Sequence, residues 1–327
     1  MMPDNAAGHA AAASPLGVAL RLLKADAPTQ VTEPRDWPRW AVLLPHVLAA
    51  TGHLDSAAGQ PDAQTMADGS RLLGLAGYYL WVHARHADAK ALEERALAID
   101  EAAYGPGHPA VATDLNNLAQ ILQDLGQPEA ARPLQERALA IDEDAYGPGH
   151  PDVAIRLNNL AQILRDLGQP EAARPLQERA LAIDEDAYGP GHPRVATDLN
   201  NLAAILRDLG QPEAARPLQE RALAIDEAAY GPGHPDVARD LNNLAQILRD
   251  LGQPEAARPL QERALAIDEA AYGPGHPRVA TGLNNLAAIL RDLGQPGAAR
   301  PLQERALAIT QAAQTAGSGR PGAEAGQ

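Results

Sequence analysis

The sequence predicts an all-α solenoid, a fold in which helix pairs of one design stack side by side. A unit of 42 residues recurs along the chain of 327 residues. Each unit holds two stretches with the apolar spacing of a helix, and glycine and proline separate them. Phe is absent and aromatic residues make up 3 %, so Leu, Ala, Ile and Val must build the core.

Two short strings mark the repeat. GPGHP begins at 105, 147, 189, 231 and 273, and LNNLA begins at 115, 157, 199, 241 and 283. The array is predicted over 68–314, with a degenerate copy at 68–108 followed by five good copies at 109–150, 151–192, 193–234, 235–276 and 277–314. One helix pair cannot bury its apolar faces alone, whereas stacked copies can.

Each unit is predicted to contain two helices, named helix A and helix B. In the first good copy helix A spans 109–125, and His108 is a candidate cap. Glycine and proline at 126–128 end helix A and start helix B, which runs to about 145. Pro133 lies inside helix B and should kink or delay its first turn.

The small residues of the unit match a known repeat. Ala119 lies in helix A, Gly126 follows it, and Ala131 and Ala138 are the small residues of helix B. This pattern resembles the tetratricopeptide repeat of the 42-residue kind found in kinesin light chains and many bacterial regulators. The resemblance implies a right-handed superhelix whose A helices line a concave groove. The sequence departs from the family at Gln135, where helix B usually carries an aromatic or apolar residue.

The ends of the chain differ from the array. The segment 14–67 is predicted to form two or three short helices, with a start signal at 36–38 and tryptophans in the core. WPRWAVLLPHVLA, at 37–49, resembles the stretch before the repeats in actinobacterial NB-ARC (STAND-class) tetratricopeptide proteins, whose nucleotide-binding domain has no counterpart in this sequence. Residues 1–13 and 315–327 are small and polar and are predicted to be disordered tails.

Composition excludes several classes of function. Lys and Arg total 27 against 42 Asp and Glu, a net charge of −15, so no nucleic-acid partner is expected. There is no Cys, no glycine precedes either lysine as in a phosphate-binding loop, and Ser is absent from 71–317. The sequence therefore predicts no enzyme, no catalytic residues and no cofactor. No apolar run is long enough for a bilayer and the N-terminus lacks a basic signal region, so a cytoplasmic protein without membrane contact is expected.

Histidine and acidic residues recur without predicting a metal site. One histidine per repeat, about 10 Å from the next if the units stack, is too far to share an ion. These histidines are expected to be turn or cap residues: His108, His150, His192, His234 and His276. Asp142, Glu143 and Asp144 point in different directions on helix B and are expected on a solvated face.

Paired asparagines are the main candidate site. Asn costs about 0.5 kcal/mol relative to Ala inside a helix, so its recurrence needs a reason. The amides either bind the backbone of an extended peptide or hydrogen-bond a neighbouring repeat, and the two positions could divide these roles. The pairs are Asn116 and Asn117, Asn158 and Asn159, Asn200 and Asn201, Asn242 and Asn243, and Asn284 and Asn285. The same surface adds Gln120, Gln162, Gln246, Arg165, Arg207, Arg249 and Arg291 to the predicted peptide site.

The predicted function is a non-enzymatic scaffold that binds an extended peptide or a partner helix in the groove. The alternative is a sensor arm separated from an NB-ARC-type signalling ATPase. The first good copy holds 2 basic and 7 acidic residues and the last holds 4 and 2. A ligand with its basic end at the first repeats could be oriented by this change in charge along the array. Drift between copies explains the change equally well. The last helix B, 297–313, presents Leu302, Ala306 and Ile309 with no capping helix, so weak homodimerisation through this end is expected.

Overall fold

The computed structural model describes residues 14–31, 33–54 and 61–318, and every regular element within these ranges is a helix. The predicted all-α fold class is confirmed. The predicted tail at 1–13 lies outside the described residues, as does 319–327. The described chain forms two compact units that divide after Leu167.

The first unit begins with two helices that precede the repeats. Its helices are α1 (Pro15–Asp26), a short 3-10 helix (Pro34–Asp36), α2 (Trp37–Gly52), α3 (Ala63–Val82), α4 (His86–Tyr104), α5 (Pro109–Asp124), α6 (Pro128–Tyr146) and α7 (Pro151–Asp166). The degenerate copy corresponds to α3 and α4, and α3 begins at Ala63, ahead of the predicted boundary at 68.

The second unit repeats one helix pair without interruption. Its helices are α8 (Pro170–Tyr188), α9 (Pro193–Asp208), α10 (Pro212–Tyr230), α11 (Pro235–Asp250), α12 (Pro254–Tyr272), α13 (Pro277–Asp292) and α14 (Pro296–Ser318). The last helix extends past the predicted end at 313, so residues 315–318 are helical and the predicted tail is wrong there.

From α5 to α13 local sequence signals place the helix ends within one residue of the prediction. The Nδ1 atom of His108 accepts a hydrogen bond from the backbone N–H of Ala110 at 3.2 Å, which caps α5. The same ring stacks on Tyr104, with the ring centroids 4.6 Å apart. These contacts recur through the array, so the structural role predicted for the histidines is confirmed. Pro133 lies inside α6, which begins at Pro128, so the predicted delay of the first turn is wrong.

The A helices form one layer in each unit. In the first unit α5 contacts both α3 and α7, and in the second unit α11 contacts both α9 and α13. The B helices α4, α6, α10 and α12 each pack between two successive A helices. The exposed face of the A-helix layer is therefore continuous within a unit, which is what the candidate site requires.

One leucine in each B helix joins a pair to the next one. Leu97 of α4 packs against both apolar clusters of the following pair, around Leu115 and around Leu118. Leu181, Leu223 and Leu265 do the same in the second unit. Each of these four leucines thus enters the core of the following pair, as expected for nearest-neighbour stacking.

The tryptophans belong to the core of the first unit, as predicted. Trp40 is fully buried, and its indole N–H donates to the backbone carbonyl of Pro28 at 3.0 Å. Trp37 and Trp81 pack against the same core. The indole N–H of Trp81 also donates to Asp124 on α5, so one core residue links the degenerate copy to the first good repeat.

The residues predicted to form an open apolar face on the last helix are wrong, because they pack against α13. Ala306 and Ile309 are buried against α13, and Leu302 packs beside them. The exposed residue is Leu307, 58 % accessible, at the position where Leu265 enters the next pair. The predicted residues thus face α13, whereas the exposed leucine lies on a different side of α14.

Ala119→Leu is expected to destabilise the first unit by about 1–3 kcal/mol, because a longer side chain overpacks a filled core. Ala119 is fully buried between Leu122 and Ala131, with Ile163 of the next A helix against it. Thermal unfolding measures the effect, and Ala130→Leu on the exposed face of α6 is the matched control. An unchanged melting temperature for Ala119→Leu would contradict this packing.

Candidate functional site

In the first good copy the first asparagine of the pair takes part in a buried amide network. The Oδ1 atom of Asn116 accepts a hydrogen bond from Nε2 of Gln135 at 3.2 Å, and the same Nε2 donates to the backbone carbonyl of Arg156 at 3.1 Å. Gln135 is fully buried. The glutamine that departs from the family pattern is therefore the partner of the asparagine, and the two residues cross-link helices A and B.

The same network recurs in the second unit. Asn200 accepts from Gln219 and Asn242 accepts from Gln261. Asn200 also donates to Oδ1 of Asp240 at 2.6 Å, which reaches the next A helix. Asn158 is half-buried, whereas Asn284 is exposed. At most positions the first asparagine therefore bonds within the array.

The second asparagine of each pair lies nearer the open face of the A-helix layer. In the first unit Asn117 donates to Oε1 of Glu93 at 2.8 Å, and Asn159 donates to Oδ1 of Asn116 at 2.7 Å. In the second unit the equivalent side chains are half-buried and make no hydrogen bond to any described residue: Asn201, Asn243 and Asn285. Their amides are free to bind a ligand.

The predicted arginines connect successive A helices. The Nε atom of Arg207 donates to Oδ2 of Asp250 at 2.7 Å, and Arg249 makes the equivalent bond to Asp292 at 2.8 Å. Arg291 is exposed, and Arg165 is half-buried. These ion pairs are partly solvated and each contributes about 0–1 kcal/mol, so a ligand can exchange with them at small cost.

The predicted glutamines lie beside these ion pairs. Gln162 donates to Asp166 at 2.8 Å and accepts from Arg165 at 3.0 Å, and Gln246 accepts from Arg249 at 3.1 Å. Gln120 is half-buried on α5. All three glutamines thus share the open surface of the A helices with the second asparagines.

A cleft in the second unit brings several predicted residues together. Asn243, Gln246 and Asn285 line a space of about 300 Å³, and Arg239 and Arg278 form part of its wall. The cleft combines amides that donate and accept hydrogen bonds with two cationic side chains. This arrangement suits the peptide backbone and carboxylates of a ligand.

A row of buried carboxyl groups, which the sequence does not predict, lies between successive B and A helices. The expectation that Asp142 lies on a solvated face is wrong: it is 1 % exposed, whereas Asp144 is exposed. The A helix that follows α4, α6, α8, α10 or α12 packs against that B helix and covers this position. The buried residues are Asp100, Asp142, Asp184, Asp226 and Asp268.

The residue that faces the buried carboxyl differs between pairs. Arg156 forms a buried ion pair with Asp142, with Nε and Oδ2 2.8 Å apart. Asp114 and Asp240 instead place a second carboxyl beside the first. Burial, with the nearby acidic groups, raises the pKa of Asp114 to about 9 and that of Asp240 to about 7. Burial likewise raises the pKa of Glu93 to about 7.

The family is decided by the repeat itself. The tetratricopeptide repeat family model matches residues 70–144, 115–186, 157–228, 194–270 and 240–312. The chain belongs to the tetratricopeptide repeat family. A search of curated protein sequences gave no significant match.

Solved tetratricopeptide structures share the fold. A kinesin light chain-like protein of Podosopora anserina with nearly identical TPR-like repeats is 27 % identical, with a TM-score of 0.54 over 65 % of this chain and 99 % of that one. BtubC (BKLC) of P. vanneervenii is 24 % identical, with a TM-score of 0.55 over 75 % and 94 %. A Rap protein in complex with Competence and Sporulation Factor is 14 % identical, with a TM-score of 0.53 over 90 % and 97 %.

Tetratricopeptide repeat proteins are generally non-catalytic scaffolds for protein interactions, and the amides and ion pairs of the A-helix layer agree with that role. Among the described residues no three His, Asp or Glu side chains are grouped so that they could hold a metal ion. In the same part of the chain no helix has the length and apolar character needed to cross a bilayer.

Proposed function

We propose that this chain is a non-enzymatic scaffold that binds an extended peptide or a partner helix on the layer of A helices. The observation that carries the proposal is the set of amides at Asn201, Asn243 and Asn285, one on each A helix of the second unit, that make no hydrogen bond to the residues the structure describes. An amide offers one donor side and one acceptor, which matches a peptide backbone. A Rap protein of the same fold was solved with a bound factor, so the fold accommodates a partner.

The affinity is expected to be micromolar. Each amide contact contributes about 0.5–1.5 kcal/mol, whereas association costs about 4–15 kcal/mol. Three amides alone therefore do not exceed the cost of association, and micromolar binding also needs the further contacts that the exchangeable ion pairs of Arg207 and Arg249 supply. A ligand with both backbone groups and charged side chains fits this surface best.

The test begins with affinity purification from the native cell and mapping of the bound segment. That segment is then titrated against the parent chain and against Asn201→Ala, Asn243→Ala and Asn285→Ala combined. We expect binding to fall at least tenfold, while the melting temperature stays equal or rises, because Ala favours helix more than Asn does. Unchanged affinity of the triple variant would refute the proposal.

A matched control changes three exposed side chains on the B helices of the same pairs. Glu220→Ala, Glu262→Ala and Glu304→Ala combined remove only partly solvated ion pairs within single helices. Binding should be unchanged. Recovery of a nucleotide-binding ATPase as the main partner, with binding that does not depend on the asparagines, would favour the sensor-arm alternative.

A further inference from the structure

Four of the five buried aspartates have an arginine of the same unit beside them. Arg156 pairs with Asp142 at 2.8 Å, and Arg239 contacts Asp226 at 3.4 Å. Arg194 and Arg278 lie close enough to Asp184 and Asp268 to favour their charged forms. The arginines come from different positions of the next A helix, but each lies beside the aspartate at the equivalent position of its helix B.

Asp100 lacks this arginine. The residues equivalent to the three arginine positions, at spacings that are multiples of the 42-residue period, are Ala110, Thr113 and Asp114. Ala110 aligns with Arg194 and Arg278. Thr113 aligns with Arg239, and Asp114 aligns with Arg156. The A helix that covers Asp100 therefore supplies no cation from these positions and adds a second carboxyl instead.

A cleft of about 710 Å³ opens in front of Asp100 in the first unit. Asp68, Asp100 and Asp114 contribute to its lining and are 1 %, 7 % and 8 % exposed. One carboxyl oxygen of each accepts no hydrogen bond from the described part of the chain: Oδ2 of Asp68, Oδ1 of Asp100 and Oδ2 of Asp114. Tyr78 and Tyr104 line the same space.

The cations around the cleft do not neutralise this pair of carboxyls. Lys24 is paired with Asp68, and Arg71 is exposed and makes no hydrogen bond or ion pair with the described residues. His108 caps α5 with its Nδ1 atom. Burial and the nearby Glu93 and Asp100 raise the pKa of Asp114 to about 9, so none of these cations offsets the cost of burying its charge.

We propose that this cleft binds the guanidinium group of an arginine side chain from a partner peptide, in the place that Arg156 fills in the next pair. The planar guanidinium can donate to carboxyls on two helices at once, and tyrosine rings can lie against its face. The excess of acidic residues in the first good repeat favours the basic end of a ligand here. The inference rests on the proposed scaffold function and names the chemistry of one part of the ligand.

The test uses a capped arginine, N-acetyl-arginine N-methylamide, as a probe on the full chain labelled with ¹³C-tyrosine. We expect saturable shifts of the signals of Tyr78 and Tyr104. Capped citrulline has the same shape without the charge, and capped lysine has the charge without the planar fork. Both should bind at least about tenfold more weakly than capped arginine.

Two variants locate the site. Asp114→Arg should supply the missing guanidinium from within the chain, abolish the shifts and keep or raise the melting temperature. Asp100→Asn should weaken binding without adding a side chain, which covers the case in which the first variant fails to fold. Asp198→Arg makes the same exchange at the equivalent position of α9, away from the cleft, and should leave the shifts unchanged.

Several results would overturn the assignment. They are the absence of tyrosine shifts, equal binding of citrulline or lysine, and shifts that survive both Asp114→Arg and Asp100→Asn. The signals of Tyr78 and Tyr104 report on the cleft in the first unit, whereas Asn201, Asn243 and Asn285 belong to the second unit. Failure of the cleft and failure of the proposed scaffold are therefore seen in different titrations.

Discussion

The free energy of unfolding is expected to fall as the pH rises from 6 to 8.5, because buried carboxyls hold protons that the unfolded chain releases. The folded-state pKa of Glu93 and of Asp240 is about 7, and that of Asp114 is about 9. In the unfolded chain these groups titrate near pH 4. A raised folded-state pKa gives stability that is complete below about pH 4 and is lost as the pH rises through the folded-state value.

The size and shape of this dependence follow from the same values. Each carboxyl that is protonated only in the folded chain lowers the free energy of unfolding by about 1.4 kcal/mol per pH unit. Glu93, Asp240 and Asp114 act together up to about pH 7, and Asp114 acts alone above it. Urea unfolding followed by helical circular dichroism at constant ionic strength should therefore show a steeper loss below pH 7 than above it.

Asp114→Asn isolates the largest of these contributions, because the amide keeps the shape of the protonated carboxyl and cannot ionise. Its gain in stability over the parent chain should grow with pH. Asp144→Asn, on the exposed side of α6, should show no such gain. A parent chain equally stable at pH 6 and pH 8.5, or a gain that does not grow, would contradict the buried-proton account.

The helices could be predicted from the sequence because their signals are local. Proline in the first turn, a histidine cap and a glycine at positive φ, such as Gly126 at 69°, recur at fixed places and set each boundary. The apolar face of helix A follows from the helical period alone. The predicted surface of amides and arginines could be placed on helix A for the same reason, although its use by a peptide stays a prediction.

Contacts between pairs could not be predicted in this way. Which asparagine of a pair bonds within the array depends on Gln135. This residue lies 19 residues after Asn116 in the sequence and reaches it only after the helices pack. The burial of Asp142 depends on an A helix that covers the end of helix B. An acidic residue in the last turn of a helix is ordinarily solvated, so nothing near it in the sequence indicated burial.

Arg156→Met is expected to lower the free energy of unfolding by about 3–5 kcal/mol. Asp142 and Arg156 are both buried, so the variant leaves a carboxylate without its cation in a site that water does not reach. Burial raises the pKa of Asp142, and the positive charge of Arg156 is the main effect that opposes this rise. Urea unfolding at pH 7.5 measures the loss.

The double variant Asp142→Asn with Arg156→Met distinguishes the attraction between the two charges from the cost of removing both charges from water. Removal of both charges should return most of the stability, because a buried ion pair gives little net stabilisation over a neutral pair of similar size. Arg156→Asp should instead recreate the carboxyl pair of Asp100 and Asp114, with a loss that is greater at pH 8.5 than at pH 6. If Arg156→Met proved harmless, or the double variant were as unstable as the single one, Arg156 would not be neutralising Asp142. The guanidinium site proposed at Asp100 would then lose its support, because it is inferred from the pairing of Arg156 with Asp142.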